Sequence, residues 1–376
     1  MRIAVVRERA ERERRIALSP EAVENLTGDG HELVVEAGAG EAANMADAAY
    51  VEAGATIAPD RTAAIGDGGV VVGVNGPDTP ELRAGLGADH VVLGLFDPLW
   101  RPQPMAELAA TGATALSLDL VPRSTRAQAV DVLSSTATVV GFQAVLVAGV
   151  RMPRLMPLLM TAAGTVPPAR VVVLGAGVAG LQAIATARRL GAVVQGFDIR
   201  EEALEQIRSL GAKSIDLPEA DPDDPTDPAQ RTQAALTPHL AEADVVITAA
   251  QVPGRRSPTL VTDVMVEAMR PGALLVDLAA ERGGNCTLSR ADEEVLHGGV
   301  TILAPTDLAS GSPVSSSRMF ANNVVNLLRL LTTDGEVVLD LEDDIVASML
   351  VTSGGEVVHP GVREMLEPAP SGGTES

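Results

Sequence analysis

Six residues constrain this chain more than any others. Gly175-Ala176-Gly177-Val178-Ala179-Gly180 separates an apolar run, Val171 to Leu174, from a helical pattern over Gly177 to Leu190. A bare G-x-G-x-x-G string is a weak signal. Set between strand and helix, with Asp198 closing the next apolar run (Val193 to Phe197), it specifies a βαβ unit whose turn accepts a dinucleotide. Gly175 permits the tight turn, Gly177 lets the backbone approach a pyrophosphate, and Gly180 allows the helix to lie close on the strand. The amino end of the helix then directs its free N–H groups at the phosphates. Asp198 is placed to accept hydrogen bonds from the adenosine ribose hydroxyls and to repel a 2′-phosphate, which favours NAD(H) over NADP(H). Arg200 stands beside it, with a simple solvated charge as its alternative role.

The same rhythm of short apolar run and helical pattern extends both ways. In the first third, Ile3 to Val6, Glu32 to Glu36, Val70 to Val74, Val91 to Leu95 and Thr114 to Leu118 read as strands, and Ser19-Pro20-Glu21 is a well-formed helix start. A second series follows at Val171 to Leu174, Val193 to Phe197, Val245 to Thr248, Leu274 to Asp277 and Thr301 to Leu303. Alternating strands and helices predict α/β architecture: two Rossmann-like, doubly wound parallel-sheet domains with a cleft between them. A linker helix is expected within Val121 to Val150. A helix from Phe320 and hairpin-like segments at Val337 to Leu341 and Glu356 to His359 follow. The expected domains are residues 1–137 with 322–376, the tail packing back, and 138–321 for the dinucleotide-binding domain. Asp216 to Thr237, acidic and proline-rich, reads as a mobile surface loop, and Pro368 to Ser376 as disordered.

Composition excludes several classes. With 376 residues there is enough chain for two domains, and 46% hydrophobic residues can fill two cores. The net charge of −22, with Lys213 as the sole lysine, argues against nucleic acid as a partner. Cys286 stands alone, so no disulfide and no cysteine-based metal cluster is expected within the chain, nor any other metal site. The first residues show no signal-peptide core, and the apolar stretch Val139 to Met160 is interrupted by Arg151, Pro153 and Arg154, so a cytoplasmic location without a membrane span is expected. His31, His90, His239, His297 and His359 are expected to be ordinary surface or turn residues.

Around the glycine motif the sequence becomes more specific. Met160-Thr161-Ala162-Ala163-Gly164-Thr165-Val166-Pro167-Pro168-Ala169-Arg170, running on to Leu190, resembles the NAD(H)-binding alpha subunit, the first and soluble component, of proton-translocating NAD(P) transhydrogenases. The resemblance runs from Arg2 to about Pro360 and includes Pro122 to Gln128, Asp131 to Ser135, Asp277-Leu278-Ala279, Gly283-Gly284-Asn285-Cys286 and Thr306-Asp307-Leu308. It implies a subunit that passes hydride directly between NADH and NADP(H) held on a partner component. It further implies membrane-spanning partner subunits, a peripheral position at the inner face of the cell membrane, and a homodimer.

The resemblance also implies roles for individual residues. Arg126, Gln128, Asp131 and Ser134 would line the nicotinamide end, with Gln128, Arg126 and Asp131 closest to the reaction. Gly175 to Gly180, Asp198, Ile199, Arg200, Ala250 and Gln251 would complete the cofactor site. Gln128 and Asp131, three apart, are expected to share a helix face. A structural reading competes: Thr125-x-x-Gln128 is also a capping box, and Asp131 could pair with Arg126.

Alanine dehydrogenases share the fold and are the main rival. An amino-acid oxidation moves a proton as well as a hydride, so it needs an acid/base group and a cationic grip on the substrate carboxylate, whereas exchange between two nicotinamides needs neither. Arg15 stands where alanine dehydrogenases have a carboxylate-binding arginine, but Gly73 and Leu95 occupy the places of their lysine and histidine. A non-catalytic NAD(H)-binding module is a further alternative. Departures from the transhydrogenase pattern are Gln143 in place of an arginine, Gln251 in place of an apolar residue, and a shorter loop without tyrosine before Val245.

Overall fold

The computed structural model describes residues 1–77, 79–217, 226–252 and 254–367. The expected disorder of Pro368 to Ser376 and residues 218–225 of the acidic loop therefore lie outside the described residues. The chain divides into one unit of residues 1–136 with 310–376 and a second of residues 137–309. Residues 310–321, assigned to the second domain by sequence, belong to the first unit, because the helix read from Phe320 already begins at Pro313 and runs unbroken to Leu330.

The first unit is built on β1 (Arg2–Val5), β2 (Glu32–Glu36), β3 (Thr56–Ala58), β4 (Gly69–Asn75), β5 (His90–Leu95) and β6 (Thr114–Ser117). These pair in parallel in the spatial order 3-2-1-4-5-6, the doubly wound arrangement. Strand interiors such as Val70–Val74 are buried throughout, as expected for a sheet covered on both faces. The helix Pro20–Gly28 starts where the sequence places it: the Ser19 hydroxyl accepts from the Ala22 N–H, Pro20 opens the first turn, and Ala22, Val23 and Leu26 face the core.

The second unit opens with a hairpin of β7 (Leu159–Thr161) and β8 (Gly164–Val166), all six residues exposed. Its main sheet contains β9 (Arg170–Leu174), β10 (Val193–Phe197), β11 (Lys213–Ser214), β12 (Val245–Thr248), β13 (Leu274–Asp277), β14 (Glu294–His297) and β15 (Val300–Leu303), in the order β11-β10-β9-β12-β13-β15-β14. Apart from β14, which pairs antiparallel at the edge, the order is again 3-2-1-4-5-6 and parallel. Later in the chain the first unit gains a small hairpin, β16 (Thr332–Thr333) with β17 (Glu336–Val337), and two antiparallel strands that extend the sheet past β6, β18 (Leu350–Ser353) beside it and β19 (Glu356–Val357) at the edge.

Several expectations need correction. The strand read as Val337 to Leu341 ends at Val337, and Asp344–Met349 is a helix capped by the Asp343 carboxylate, which accepts from the Ile345 N–H. The acidic segment does not stay irregular to Thr237: Asp227 caps a helix, Pro228–Ala241, whose Leu236 and Leu240 are buried. His31 and His90 are buried rather than surface residues. The linker helix spans Val132–Arg151. Counted from Val132 it carries no charge before Arg151, so by length and composition alone it could cross a membrane, a property hidden when the apolar stretch is counted from Val139. In the second unit its Ala144, Val145 and Ala148 are core residues, and Gly141 lies against the Ala179 backbone.

Candidate functional site

The turn between β9 and the helix Val178–Arg189 is built as the spacing requires. Gly175 has φ +97°, and a Cβ there would stand 2.8 Å from the Ala250 nitrogen, so neither strain nor space admits a side chain. At Gly180 a Cβ would overlap the Gly175 carbonyl. Gly177 differs, with an ordinary φ of −75° and open space where its Cβ would be. The first helical hydrogen bond runs from the Leu181 N–H to the Gly177 carbonyl, and no side chain caps the end. The N–H groups of Val178, Ala179 and Gly180 therefore lack helical partners, and Gly177 and Val178 are exposed.

Asp198 directly follows β10 and is almost buried. Its carboxylate accepts from the Ala176 N–H at 2.8 Å, from the Arg200 N–H at 3.0 Å, and from Arg200 Nε and Nη2 at 3.0 and 3.1 Å. Burial pushes the carboxyl pKa up, but the Arg200 guanidinium and the Ala176 N–H outweigh it and hold the group below the ordinary range. Arg200 is thus not a free solvated charge, and its own pKa is raised by the pairing. Ile199 is 82% exposed between them.

The far wall of the turn is the chain leaving β12. The Ala249 N–H donates to the Leu174 carbonyl at 2.7 Å. Ala250 is held by Asn285, whose side chain accepts from the Ala250 N–H at 3.0 Å and donates to the Ala250 carbonyl at 2.8 Å. Gln251 donates to the Leu278 carbonyl at 2.8 Å. Neighbouring Cys286 is buried, which pushes its thiol pKa up.

The segment assigned to the nicotinamide end lies in the first unit and differs from both local readings. Arg126–Val130 is a 3₁₀ helix, and Thr125 makes no side-chain cap, so the capping box does not form. Asp131 lies past the end of that helix with ψ 86° and does not share a helix face with Gln128. Nor does it pair with Arg126: its oxygens accept from the Ser134 N–H at 2.9 Å and the Ser134 hydroxyl at 2.6 Å, which starts the helix Val132–Arg151. Arg126 instead binds both Asp343 and Asp344, the first bidentately, which raises the arginine pKa and lowers that of Asp343 to about 2. Gln128 is exposed, and its side chain has no partner among the described residues. The same holds for Arg123, to which the sequence pattern gives no role; its uncommitted charge shows only once Arg126 is seen to be occupied. An open groove of about 360 Å³ flanks the helix Val178–Arg189, but its lining of Thr138, Val178, Leu181, Gln182 and Gln206 includes neither Gly177 nor Asp198.

Both halves of this architecture have a counterpart among known proteins. The family described as alanine dehydrogenase/PNT, N-terminal domain, matches residues 4–140, and its C-terminal counterpart matches residues 144–360. The chain belongs to the alanine dehydrogenase/PNT family. Within it, the chain is 40% identical over 374 aligned residues to NAD(P) transhydrogenase subunit alpha of Cereibacter sphaeroides, covering 96% of this chain and 71% of that protein. A solved transhydrogenase from Sinorhizobium meliloti superposes with a TM-score of 0.85 at 40% identity, over 96% of this chain and 99% of the other. A solved L-alanine dehydrogenase gives 0.83 at 27% identity, over 97% and 99%. The resemblance to transhydrogenase alpha subunits is therefore confirmed, alanine dehydrogenases are more distant relatives, and the two-domain α/β fold is the one both structures share.

Proposed function

We propose that this chain is the NAD(H)-binding subunit of a proton-translocating NAD(P) transhydrogenase, active with partner subunits that bind NADP(H) and span the membrane. The uncapped helix beyond Gly177, beside the Asp198 carboxylate, is the observation that carries this reading, since it offers N–H groups to a pyrophosphate and an acceptor to a ribose diol. The turn fits the group: the space a side chain would fill at Gly177 is open, and Gly175 and Gly180 admit none. Ala250 and Gln251 form the opposite wall. The dinucleotide supplies the hydride; the chain binds it, orients it and moves no proton.

For the nicotinamide end we assign Gln128 and Ser134 as the groups that meet the carboxamide and ribose, with Asp131 orienting the Ser134 hydroxyl. Arg126, tied to Asp343 and Asp344, acts by holding its 3₁₀ helix, and Arg123 is the cation of this segment free to meet a ligand. Gly73 speaks against the alanine dehydrogenase alternative. A Cβ there would stand 2.9 Å from the Asn75 carbonyl oxygen and 3.3 Å from Glu8 Oε1, so the strand has no room for the missing lysine, and Leu95 offers no proton.

A homodimer at the inner membrane face, docked through partner subunits, completes the proposal. Around the β7–β8 hairpin Leu155, Leu158, Leu159, Met160 and Val166 are exposed, apolar surface that a second copy would cover. The deciding experiment mixes the purified chain with an NADP(H)-binding transhydrogenase component and follows hydride transfer to an NAD analogue. Transfer is expected for the wild type and should fall about tenfold in Gln128→Asn, roughly the value of one placed hydrogen bond. No transfer above background, or turnover of L-alanine by the isolated chain, ends the reading.

A further inference from the structure

Behind the Ala250 wall of the turn, in the segment Gly283-Gly284-Asn285-Cys286, Asn285 is wholly buried. Besides its two bonds to Ala250, its amide donates to the Pro258 carbonyl at 2.8 Å, and its own carbonyl accepts from Leu260 and Val261. Beneath it lies Asp277, the last residue of β13. That carboxylate accepts from the Asn285 and Cys286 N–H groups at 2.8 and 3.1 Å, from Ala279 N–H and Thr248 Oγ1, both at 2.9 Å, and from Ser289 Oγ at 2.6 Å. Gly284 makes this approach possible: its φ is +76°, and a Cβ would stand 2.8 Å from an Asp277 oxygen.

Ala250 is thus gripped on both its N–H and its carbonyl, and the peptide that carries its N–H is the group that crowds Gly175. A backbone segment leaving a strand has no ladder partner to fix it, so without a side chain in this role Ala250 would be free to shift and Gly175 would lose its neighbour. We infer that Asn285, seated on Asp277, is a positioning residue that presets the Ala250–Gln251 wall against the Gly175 turn and so sets the shape of the pyrophosphate site. The inference rests on the dinucleotide reading of that turn. Asn285 itself touches no ligand.

The test measures Kd for NADH, ADP-ribose and 5′-AMP with the full-length wild type, Asn285→Ala and Asn285→Asp, at a temperature where each is folded by circular dichroism. Asn285→Ala should weaken NADH and ADP-ribose about tenfold, the factor for a buried peptide left without its partner, and 5′-AMP distinctly less. Asn285→Asp keeps the acceptor for the Ala250 N–H but turns an oxygen towards two carbonyls, and should weaken the same two ligands at least as much. Should the alanine variant fail to fold, the aspartate variant carries the test alone. Unchanged Kd values in a folded variant overturn the inference, and so does an equal loss for all three ligands, which would mark a general fault in the fold. A wild type that binds no NADH instead removes the dinucleotide reading.

Discussion

The two units repeat one plan with opposite outcomes. Each has a first strand flanked by the second and fourth, and an acid where the second strand ends, at Glu36 and Asp198. In each, that acid accepts from the N–H two residues beyond the first strand, Arg7 in one unit and Ala176 in the other, both at 2.8 Å. In each a guanidinium closes on it, from Arg9 or Arg200. The connections between first strand and first helix diverge. In the second unit three residues, Gly175 to Gly177, suffice, and the helix end stays open. In the first unit Val6 to Ser19 intervene and the Ser19 hydroxyl closes the helix end.

Charges of the first unit's own loop occupy its crest. Glu8 accepts from the Val74 N–H and the Asn75 amide, while Glu13 binds Arg15, Ser310 and Asn75. Burial of Glu8, more than its hydrogen bonds can offset, pushes its pKa up to about 7. Burial acts on Glu13 in the same direction, but Arg15 and Ser310 reverse it and bring the pKa down to about 2. The shared strand order therefore fixes where a site could be, and the turn residues decide whether there is one.

The largest expected effect probes this filled crest. Between the unfolded carboxyl pKa and about 7 the folded chain keeps a proton on Glu8 that the unfolded chain has released, so this group makes stability fall as pH rises through that window. Glu8→Gln removes the dependence. Chemical denaturation should show the variant gaining about 2 to 3 kcal/mol relative to wild type between pH 5 and pH 8. A constant difference across that range would mean Glu8 is charged in the fold. Glu13 acts in the opposite sense, its contribution being lost as pH drops below about 4.5 towards 2.

Next, the two equivalent acids should separate. Glu36→Ala strands the Arg7 N–H and Arg9, and should cost about 2 kcal/mol of stability while leaving NADH affinity unchanged. Asp198→Asn should weaken NADH about tenfold and narrow the preference over NADPH, because Arg200 is released towards a 2′-phosphate. Titration of both cofactors against both variants checks this, and a Glu36 variant that loses NADH would break the contrast. The smallest effect on the fold, and the sharpest on the site, belongs to Gly177→Ala. Nothing around Gly177 opposes the added methyl group, so the melting temperature should hold while NADH binding weakens by roughly a factor of ten.

Most parallel strands are legible in the sequence to within a residue or two, because their buried faces give continuous valine-rich runs and each is followed by a helical pattern. The second unit's turn is legible because glycine has few other reasons to recur at that spacing. The first unit's equivalent is not, since its long charged loop carries no such mark and Glu36 reads as an ordinary strand-end acid. Pairings across long chain distances are hidden as well. Arg126 has Asp131 nearby in sequence, but its partners, Asp343 and Asp344, follow some two hundred residues later. The helix Pro228–Ala241 escapes notice because Pro228 and Pro238 suggest a loop; Pro228 lies in the first turn, where it costs no helical hydrogen bond.

One consequence comes from the lone thiol. Cys286, sealed beside Asn285 and the Asp277 carboxylate, is shielded from a maleimide or other alkylating reagent for as long as the second unit stays closed. Its labelling rate is thus a built-in clock for transient opening of that unit. The clock requires no engineered probe, and because no other cysteine competes, its reading reports the same hydrogen-bonded corner that holds Ala250 in place.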